Sequence, residues 1–187
     1  MSTGPEPVDT LSGKLLVAAP SLEDPNFAQT VTLLVEHTDQ GAFGLVLNRP
    51  SETPVDEALP AWRPLVTPPP MFFVGGPVEP DGVLGLALLE PEAAADWIGP
   101  AVGRIGLLDV SRDPAEVAPE VSDVRLYAGH SGWGAGQLEM ELAVGSWFVV
   151  ETAPDDPFTQ QPEALWQRVL ARQGGVYSTV TPDPSTN

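Results

Sequence analysis

The amino-acid sequence predicts an α+β fold in which runs of short strands are interrupted by a few helices. Three observations lead to this prediction. The chain of 187 residues has the length of one domain, and a hydrophobic fraction of 42% is enough for a core. The 22 prolines and 18 glycines divide the chain into many short elements. Strand patterns follow one another without regular helices between them, which favours α+β over a parallel βα fold.

The first half of the chain is rich in strand patterns. Short apolar segments bounded by turn residues predict strands at 13–19 (GKLLVAA), 30–37 (TVTLLVEH), 43–48 (FGLVLN), 71–77 (MFFVGGP) and 82–89 (GVLGLALL). TDQGA, between the second and third, has hairpin composition, and PVEPDG predicts a turn between the last two. Seven prolines between residues 49 and 70 restrict any helix near Val55–Leu59 to a short one.

The second half mixes strands with short helices. Apolar runs predict strands at 104–110, 124–129 and 146–151. Pro114 stands where a helix can begin, because proline is preorganised for the first helical position. Beyond the glycine-rich segment 129–136, Leu138 and Leu142 predict a helix of about two turns.

The clearest helix lies within residues 161–175. One apolar stripe is formed by Leu165, Trp166, Val169 and Leu170, and Gly174 and Gly175 can end the helix. The polar segments 1–12 and 176–187 contain neither lysine nor arginine. We expect both to be loose tails, which places the folded domain at residues 13–175.

The net charge of −18 restricts the classes of partner. The eight basic residues are scattered singly, whereas nucleic-acid binding depends on clustered Lys and Arg that displace counterions. We therefore expect no direct, specific binding to DNA. An acidic surface suits a basic partner, although solubility is the simpler explanation of the charge.

The composition also limits the possible chemistry and location. The absence of cysteine excludes disulfides, thiolate catalysis and zinc–sulfur sites. Glu36, His37 and Asp39 are metal-ligand types, but neighbouring side chains on a strand alternate between faces, so no metal site is predicted. The N-terminus lacks the basic and apolar regions of a signal peptide, and no apolar run approaches the ~20 residues of a membrane span. These features predict a cytoplasmic protein without membrane association.

The segment GHSGW (129–133) only partly matches a nucleophile turn. That turn requires G-x-S-x-G because larger neighbours do not fit its strained backbone, and here Trp133 replaces the last glycine. His130 is a poor base for Ser131, since adjacent residues on an extended chain point to opposite sides. No catalytic residue is therefore assigned, and Ser131 is interpreted as a small residue in a tight turn.

The same glycines leave a nucleotide-binding alternative open. A strand, the glycine-rich segment, a helix and a strand ending in Glu151 would follow one another, and N–H groups at a helix N-terminus favour anions. However, Gly132-x-Gly134-x-Gly136 is not G-x-G-x-x-G, and the helix is short for a dinucleotide-binding unit. A steric role is the simpler interpretation, and it predicts positive φ at one or more of these glycines. No cofactor is assigned.

Asn48 and Arg49 are polar residues that end an apolar strand. Arg49 could pair with Glu139 or hold an anionic ligand, and an ion pair is the simpler of the two interpretations.

Several segments in the same order resemble the YqgE/AlgH family of bacterial proteins, over about residues 13–175. The similar segments are GKLLVAAPSLEDPNFAQTVTLLVEH with Pro20, Asp24 and Phe27, then GAFGLVLNRP (41–50), GGPV (75–78) and GHSGWGAGQLEMEL followed by Trp147. The family commonly has tyrosine and a small residue where this chain has His130 and Ser131. A role of that tyrosine is therefore not carried over to His130.

The resemblance implies a single α+β domain with a β-barrel-like sheet and no established reaction. Part of the family carries the label of a transcriptional regulator of alginate synthesis. Because the chain is acidic, regulation is expected to run through a protein or small ligand instead of DNA. A non-enzymatic regulatory or interaction protein is the leading hypothesis, and a small-molecule binder or enzyme using segment 129–136 is the alternative. The candidate binding residues are Asn48, Arg49, His130, Trp133, Gln137 and Glu139, expected around one concave rim.

Overall fold

A computed structural model describes residues 10–93 and 99–174, apart from the side chains of residues 100 and 101. Within them one mixed sheet is built from β1 (Leu15–Ala18), β2 (Val31–Thr38), β3 (Gly41–Val46), β4 (Pro50–Pro54), β5 (Met71–Val74), β6 (Val78–Leu89), β7 (Gly99–Val102), β8 (Ile105–Leu108), β9 (Val121–Gly134) and β10 (Trp147–Val150). The strand order is β10-β1-β2-β3-β9-β6-β8-β7, and β5 joins β4 to β9. The sheet curls into a half-barrel, which confirms the predicted α+β fold.

The helices of the described chain are short. They are α1 (Val55–Ala58), α2 (Pro114–Val117), α3 (Gln137–Ala143) and α4 (Leu165–Gln173). Asp113 caps α2, because its carboxylate accepts from the N–H of Ala115. The predicted start of a helix at Pro114 and the predicted short helix near Val55 are both confirmed.

The longest predicted helix covers the open side of the sheet. All four residues of its predicted stripe are buried in α4 and belong to the main core cluster, together with residues of β1, β2, β3 and β9. The indole N–H of Trp166 donates to the carbonyl oxygen of Ala18 at 2.8 Å, which ties α4 to β1. This packing follows from the amphipathic pattern that predicted the helix.

The strand β9 differs from its prediction. The sequence predicts a strand that ends at residue 129 and a glycine corner after it, but β9 continues through the glycines to Gly134. It pairs with β3, β5 and β6, so it is the central strand of the sheet. The predicted positive φ is confirmed at Gly129 and Gly136, with values of 74° and 77°.

Gly129 permits a close approach between two segments. A Cβ at this position would collide with the carbonyl oxygen of Gly76, and one at Gly76 would collide with the carbonyl of His130. The two backbones therefore meet where side chains would keep them apart. Gly129, Gly132 and Gly134 therefore belong to β9, whereas Gly136 lies in the short turn before α3 and is its N-cap.

The region between β5 and β6 also differs from its prediction. All of the predicted turn PVEPDG except Pro77 lies inside β6, whose pairing with β9 shifts register between Val78 and Val83. Strand β5 pairs in parallel with β9 instead of with β6. The strands β4 and β7 were not predicted, because PSETP and GPAV lack an alternating apolar pattern.

Arg125 is a fully buried cation on β9. Its guanidinium lies 4.3 Å from the centre of the Phe73 ring. It donates to carbonyl oxygens of Thr67 (3.3 Å), Pro68 (2.7 Å), Pro157 (3.1 Å) and Thr159 (2.7 Å). Burial lowers the pKa of Arg125, opposed by the nearby Tyr127 and Asp123. The side chain therefore holds two irregular segments against the sheet.

Candidate functional site

Asn48 and Arg49 bind backbone groups of the loop that precedes β2. The amide of Asn48 accepts from the N–H of Val31 at 3.0 Å and donates to the carbonyl of Gln29 at 2.9 Å. Arg49 donates to the carbonyl oxygens of Pro25 (2.7 Å), Asn26 (2.8 Å) and Ala28 (2.9 Å). Burial lowers the pKa of Arg49, while the carboxylate of Asp24 opposes this shift. Both side chains thus brace this loop.

Gln137 and Glu139 also have partners within the chain. The side-chain oxygen of Gln137 accepts from the N–H of Gly134 at 3.0 Å. Glu139 lies 2.6 Å from Nε2 of His37, so the expected pair between Arg49 and Glu139 is not formed. The hydrogen bond from His37 lowers the pKa of Glu139.

His37 joins Glu139 to the start of the described chain. Its Nδ1 accepts from the N–H of Leu11 at 3.1 Å, so Nε2 carries the proton donated to Glu139. Thr10 and Ser12 bond to the backbone of His37. Residues 10–12 were assigned to the N-terminal tail, yet they make these contacts. The other residues of the two predicted tails, 1–9 and 176–187, lie outside the described ranges.

Trp133 is buried within an aromatic cluster. Its ring centre lies 6.1 Å from that of Phe27 and 6.2 Å from that of Trp147. Glu141 lies beside the two tryptophans, and burial raises its pKa, although their indole N–H groups act in the opposite direction. Trp133 is only 6% exposed, so its ring mainly stabilises the fold.

Ser131 is fully buried and donates to the carbonyl of Gly75 at 3.1 Å. It lies inside β9 and not in the tight turn that was expected. Its hydroxyl therefore fastens β9 to the end of β5.

His130 is a predicted site residue that lines a groove. Its ring centre lies 4.8 Å from that of Phe43, with the ring planes tilted by 44°. The register explains this contact, because Phe43 on β3 lies opposite both Glu36 on β2 and Gly132 on β9. His130 lies two residues before Gly132 and therefore on the same face of β9, which brings its ring beside that of Phe43.

Two shallow cavities flank Phe43, and we call them together the Phe43 groove. The first has a volume of about 190 Å³ and is lined by Glu36, Thr38, Gln40, Gly41, Ala42, Phe43 and Trp133. The second has a volume of about 280 Å³ and is lined by Phe43, Glu79, Gly82, Val83, Leu84 and His130. Of the predicted residues, His130 and Trp133 therefore line the groove, whereas Arg49 lines a separate cavity of about 50 Å³.

The charges around the groove are acidic. Glu36 and Glu79 are exposed, and no lysine or arginine is among the residues that line the groove. All eight basic side chains of the chain lie in the described ranges, and each has a partner inside the chain. With 26 acidic residues against eight basic ones, the charge of the surface is mainly that of carboxylates.

Phe43, Glu36 and Glu79 were not predicted as members of this site. Phe43 lies on a strand that was predicted, but an aromatic residue in a strand is typical of a core as well as of a site. Cross-strand register brings it beside His130, which is 87 positions away (130 − 43). The unpaired stretch of β6 between Val78 and Val83 brings Glu79 to the same place.

Two features are absent from the described residues. None of their helices is long and apolar enough to cross a membrane. Within the same ranges, no three His, Cys, Asp or Glu side chains are grouped closely enough to hold a metal ion.

The sequence and the fold of this chain are similar to those of known proteins. The AlgH-like family model (DUF179) matches residues 15–178. A UPF0301 protein of Streptomyces coelicolor is 44% identical, over 99% of this chain and 100% of the relative. A crystal structure of a protein from Corynebacterium diphtheriae is similar with a TM-score of 0.87 and 34% identity, over 92% of each chain. The solution structure of AlgH from Pseudomonas aeruginosa is similar with a TM-score of 0.70 and 33% identity, over 95% of each chain. The chain belongs to the AlgH-like family of UPF0301 proteins.

Proposed function

We propose that this is a non-enzymatic interaction protein that binds a cationic segment of a partner protein in the Phe43 groove. One observation carries the proposal. The half-buried pair of Phe43 and His130 lies between the carboxylates of Glu36 and Glu79, and no basic side chain lines the same groove. An aromatic face and flanking carboxylates are the chemistry that binds an ammonium or guanidinium group.

Charge supports a cationic partner over an anionic one. The net charge of −18 attracts basic segments over long distances and repels phosphate backbones. It also opposes the approach of a second copy of this chain. The groove therefore favours a basic protein segment as its occupant.

The shape supports a segment of chain over an enclosed small molecule. Both cavities are open and, at about 190 and 280 Å³, each is smaller than the roughly 300–1,000 Å³ of most ligand pockets. The nucleotide alternative depends on glycines that form a loop before a helix. Here Gly129 to Gly134 belong to β9, and the N–H of Gly134 is taken by Gln137.

The proposal is tested with a fluorescein-labelled octapeptide rich in lysine and arginine, titrated into the protein and followed by fluorescence anisotropy. Replacing both flanking charges, Glu36→Gln with Glu79→Gln, should weaken binding about three- to tenfold, since each exposed charge contributes roughly 0.2–1 kcal/mol. Phe43→Leu keeps an apolar side chain but removes the aromatic face, and it should also weaken binding.

The matched control is Glu116→Gln with Glu163→Gln, which removes two exposed charges away from the groove. The melting temperature of every variant shows whether the fold is intact. If the control pair weakens peptide binding as much as the groove pair, the effect is one of net charge alone and the proposal is overturned. The proposal is also overturned if the peptide does not bind at low salt. Amide chemical shifts that move around Phe43, Gly132 and His130 on peptide addition would support it.

A further inference from the structure

A third cavity adjoins the Phe43 groove, and we call it the Phe72 pocket. Its volume is about 330 Å³, and it is lined by Ser51, Thr53, Ala58, Phe72, Asp81, Val83 and Ala128. Val83 also lines the neighbouring cavity of the Phe43 groove. The three cavities therefore form a continuous path. The two cavities of the Phe43 groove share Phe43, and the second of them shares Val83 with the Phe72 pocket.

The pocket exists because several elements meet there without filling the space. Strand β4 and helix α1 form one side, and the stretch of β6 that leaves its pairing with β9 forms the other. Ala128 on β9 lies opposite Val83 and offers only a methyl group. The sequence thus places small side chains, Ala58 and Ala128, at a position where larger ones would close the pocket.

The chemistry changes along this path. Three exposed carboxylates lie along the path through the cavities, those of Glu36, Glu79 and Asp81. The Phe72 pocket adds apolar surface from Phe72, Val83 and Ala58, with the hydroxyl groups of Ser51 and Thr53 at the same cavity. An occupant with basic groups along its length and one apolar group at its end matches this order.

The length of the path sets the spacing of those groups. It crosses β2, β3, β9 and β6, which are successive neighbours in the sheet. Three spacings between strands correspond to about 14 Å across the sheet. Glu36 and Phe43 lie level with Gly132, whereas Val83 lies level with Ala128, which adds about 13 Å along β9. The diagonal is about 19 Å, which an extended chain covers with roughly six residues. A basic residue near Glu36 and an apolar residue in the Phe72 pocket would therefore be about six positions apart.

We infer that the Phe72 pocket is a specificity subsite, which takes one apolar side chain of the same extended basic segment that binds the Phe43 groove. This inference rests on the proposed function, and the partner is again a segment of another protein. Asp81 pairs with a basic residue beside the apolar one. A second copy of this chain does not fit, because its net charge of −18 opposes three carboxylates along the path.

The test uses three octapeptides and fluorescence anisotropy. The first begins with lysine and arginine and has leucine six residues after the arginine, at its last position. The second has serine instead of that leucine, and the third has leucine next to the arginine. The first peptide should bind about five- to tenfold more tightly than the second and also more tightly than the third, as expected for burying one apolar side chain.

Variants of the protein locate the subsite. Ala58→Leu fills the pocket from an exposed position and should remove most of the preference for leucine over serine, whereas Asp81→Asn should weaken all basic peptides. Ala115→Leu, an exposed alanine on α2, and Glu163→Gln are the matched controls. The preference must persist in both controls.

The outcomes separate this inference from the proposed function. If the basic peptides bind and depend on Phe43 and Glu36 but leucine and serine bind equally, the subsite is wrong and the groove proposal stands. If Ala58→Leu and Ala115→Leu behave alike, the pocket is not the place where leucine binds, and the inference is overturned. If no basic peptide binds, both proposals fail. Full displacement of the first peptide by spermidine at equal concentration would identify a small cation as the ligand and overturn the inference.

Discussion

At the scale of single residues, Arg125 should be the most costly basic side chain to shorten. Its planar guanidinium reaches four carbonyl oxygens from a fully buried position, which the compact ammonium of lysine cannot do. Because a hydrogen bond to a charged group contributes roughly 1.5–3 kcal/mol, Arg125→Lys should lower the free energy of unfolding by about 2–4 kcal/mol. Urea denaturation measures this change.

Arg104 supplies the control for Arg125. It is exposed and, within the described ranges, makes one hydrogen bond, to the carbonyl of Leu89 at 3.0 Å. Arg104→Lys should therefore change the free energy of unfolding by less than about 0.5 kcal/mol. Equal effects of the two substitutions would contradict the importance of the buried contacts.

The pair of His37 and Glu139 predicts a pH dependence of stability. The hydrogen bond from His37 lowers the pKa of Glu139 below its ordinary value of 4.5 in the folded state. The stabilisation from this carboxylate is therefore complete above pH 4.5 and is lost as the pH falls through the lowered folded pKa. It is small, because the carboxylate is largely exposed.

The comparison of Glu139→Gln with the unchanged protein tests this dependence. The difference in urea midpoint should be present at neutral pH and disappear in strong acid, whereas Glu163→Gln should show no such pH-dependent difference. A Glu139→Gln difference that stays constant across the same pH range would exclude the pair as its source.

At the scale of elements, β9 predicts an order of glycine substitutions. Gly129→Ala combines a positive φ of 74° with a collision against Gly76, whereas Gly136→Ala has a φ of 77° and open space. A Cβ at Gly132 would only touch Val78, at 3.9 Å. The loss of stability should therefore be largest at Gly129, about 1–2 kcal/mol at Gly136, and smallest at Gly132.

Thermal melts of the three alanine variants check this order. If Gly129→Ala yields no folded protein while the other two variants fold, the result agrees with the predicted order. Three equal melting temperatures would show that neither the left-handed backbone nor the close approach constrains this strand.

At the scale of the whole molecule, the charge predicts the absence of specific DNA binding. The net charge is −18, and each basic side chain already has a partner inside the chain. A gel shift with the purified protein should show no sequence-specific complex at about 200 mM salt, because binding to phosphates depends on the release of counterions by free Lys and Arg. A salt-resistant, sequence-specific shift would contradict this prediction.

The elements with strong local patterns could be predicted from the sequence. The stripe in α4 and the hairpin of β2 and β3 repeat with the periods of their structures, and Pro114 marks the start of α2. Strand β4 has no such period, since PSETP has three polar residues between two prolines. The end of β9 was missed because glycine is typical of turns, and only close packing against Gly76 explains it within a strand.

The candidate site was harder to predict than the fold. Asn48, Arg49 and Glu139 were recognised as polar residues at strand or helix ends, but their partners are the loop before β2 and His37. A polar residue has the same sequence pattern whether it binds a ligand or a neighbouring carbonyl. Their proposed role in binding remains a prediction.

The sequence by itself determined the α+β class, the buried face of α4 and the acidic charge, because these depend on composition and on the period of apolar residues. The tertiary structure decided the route of β9 through its glycines and the meeting of Glu36, Phe43, Glu79 and His130 in one groove. The physical reason is that periodicity reports which face of an element is buried. The register between strands distant in the chain is set by packing and hydrogen bonds formed only when the whole sheet assembles.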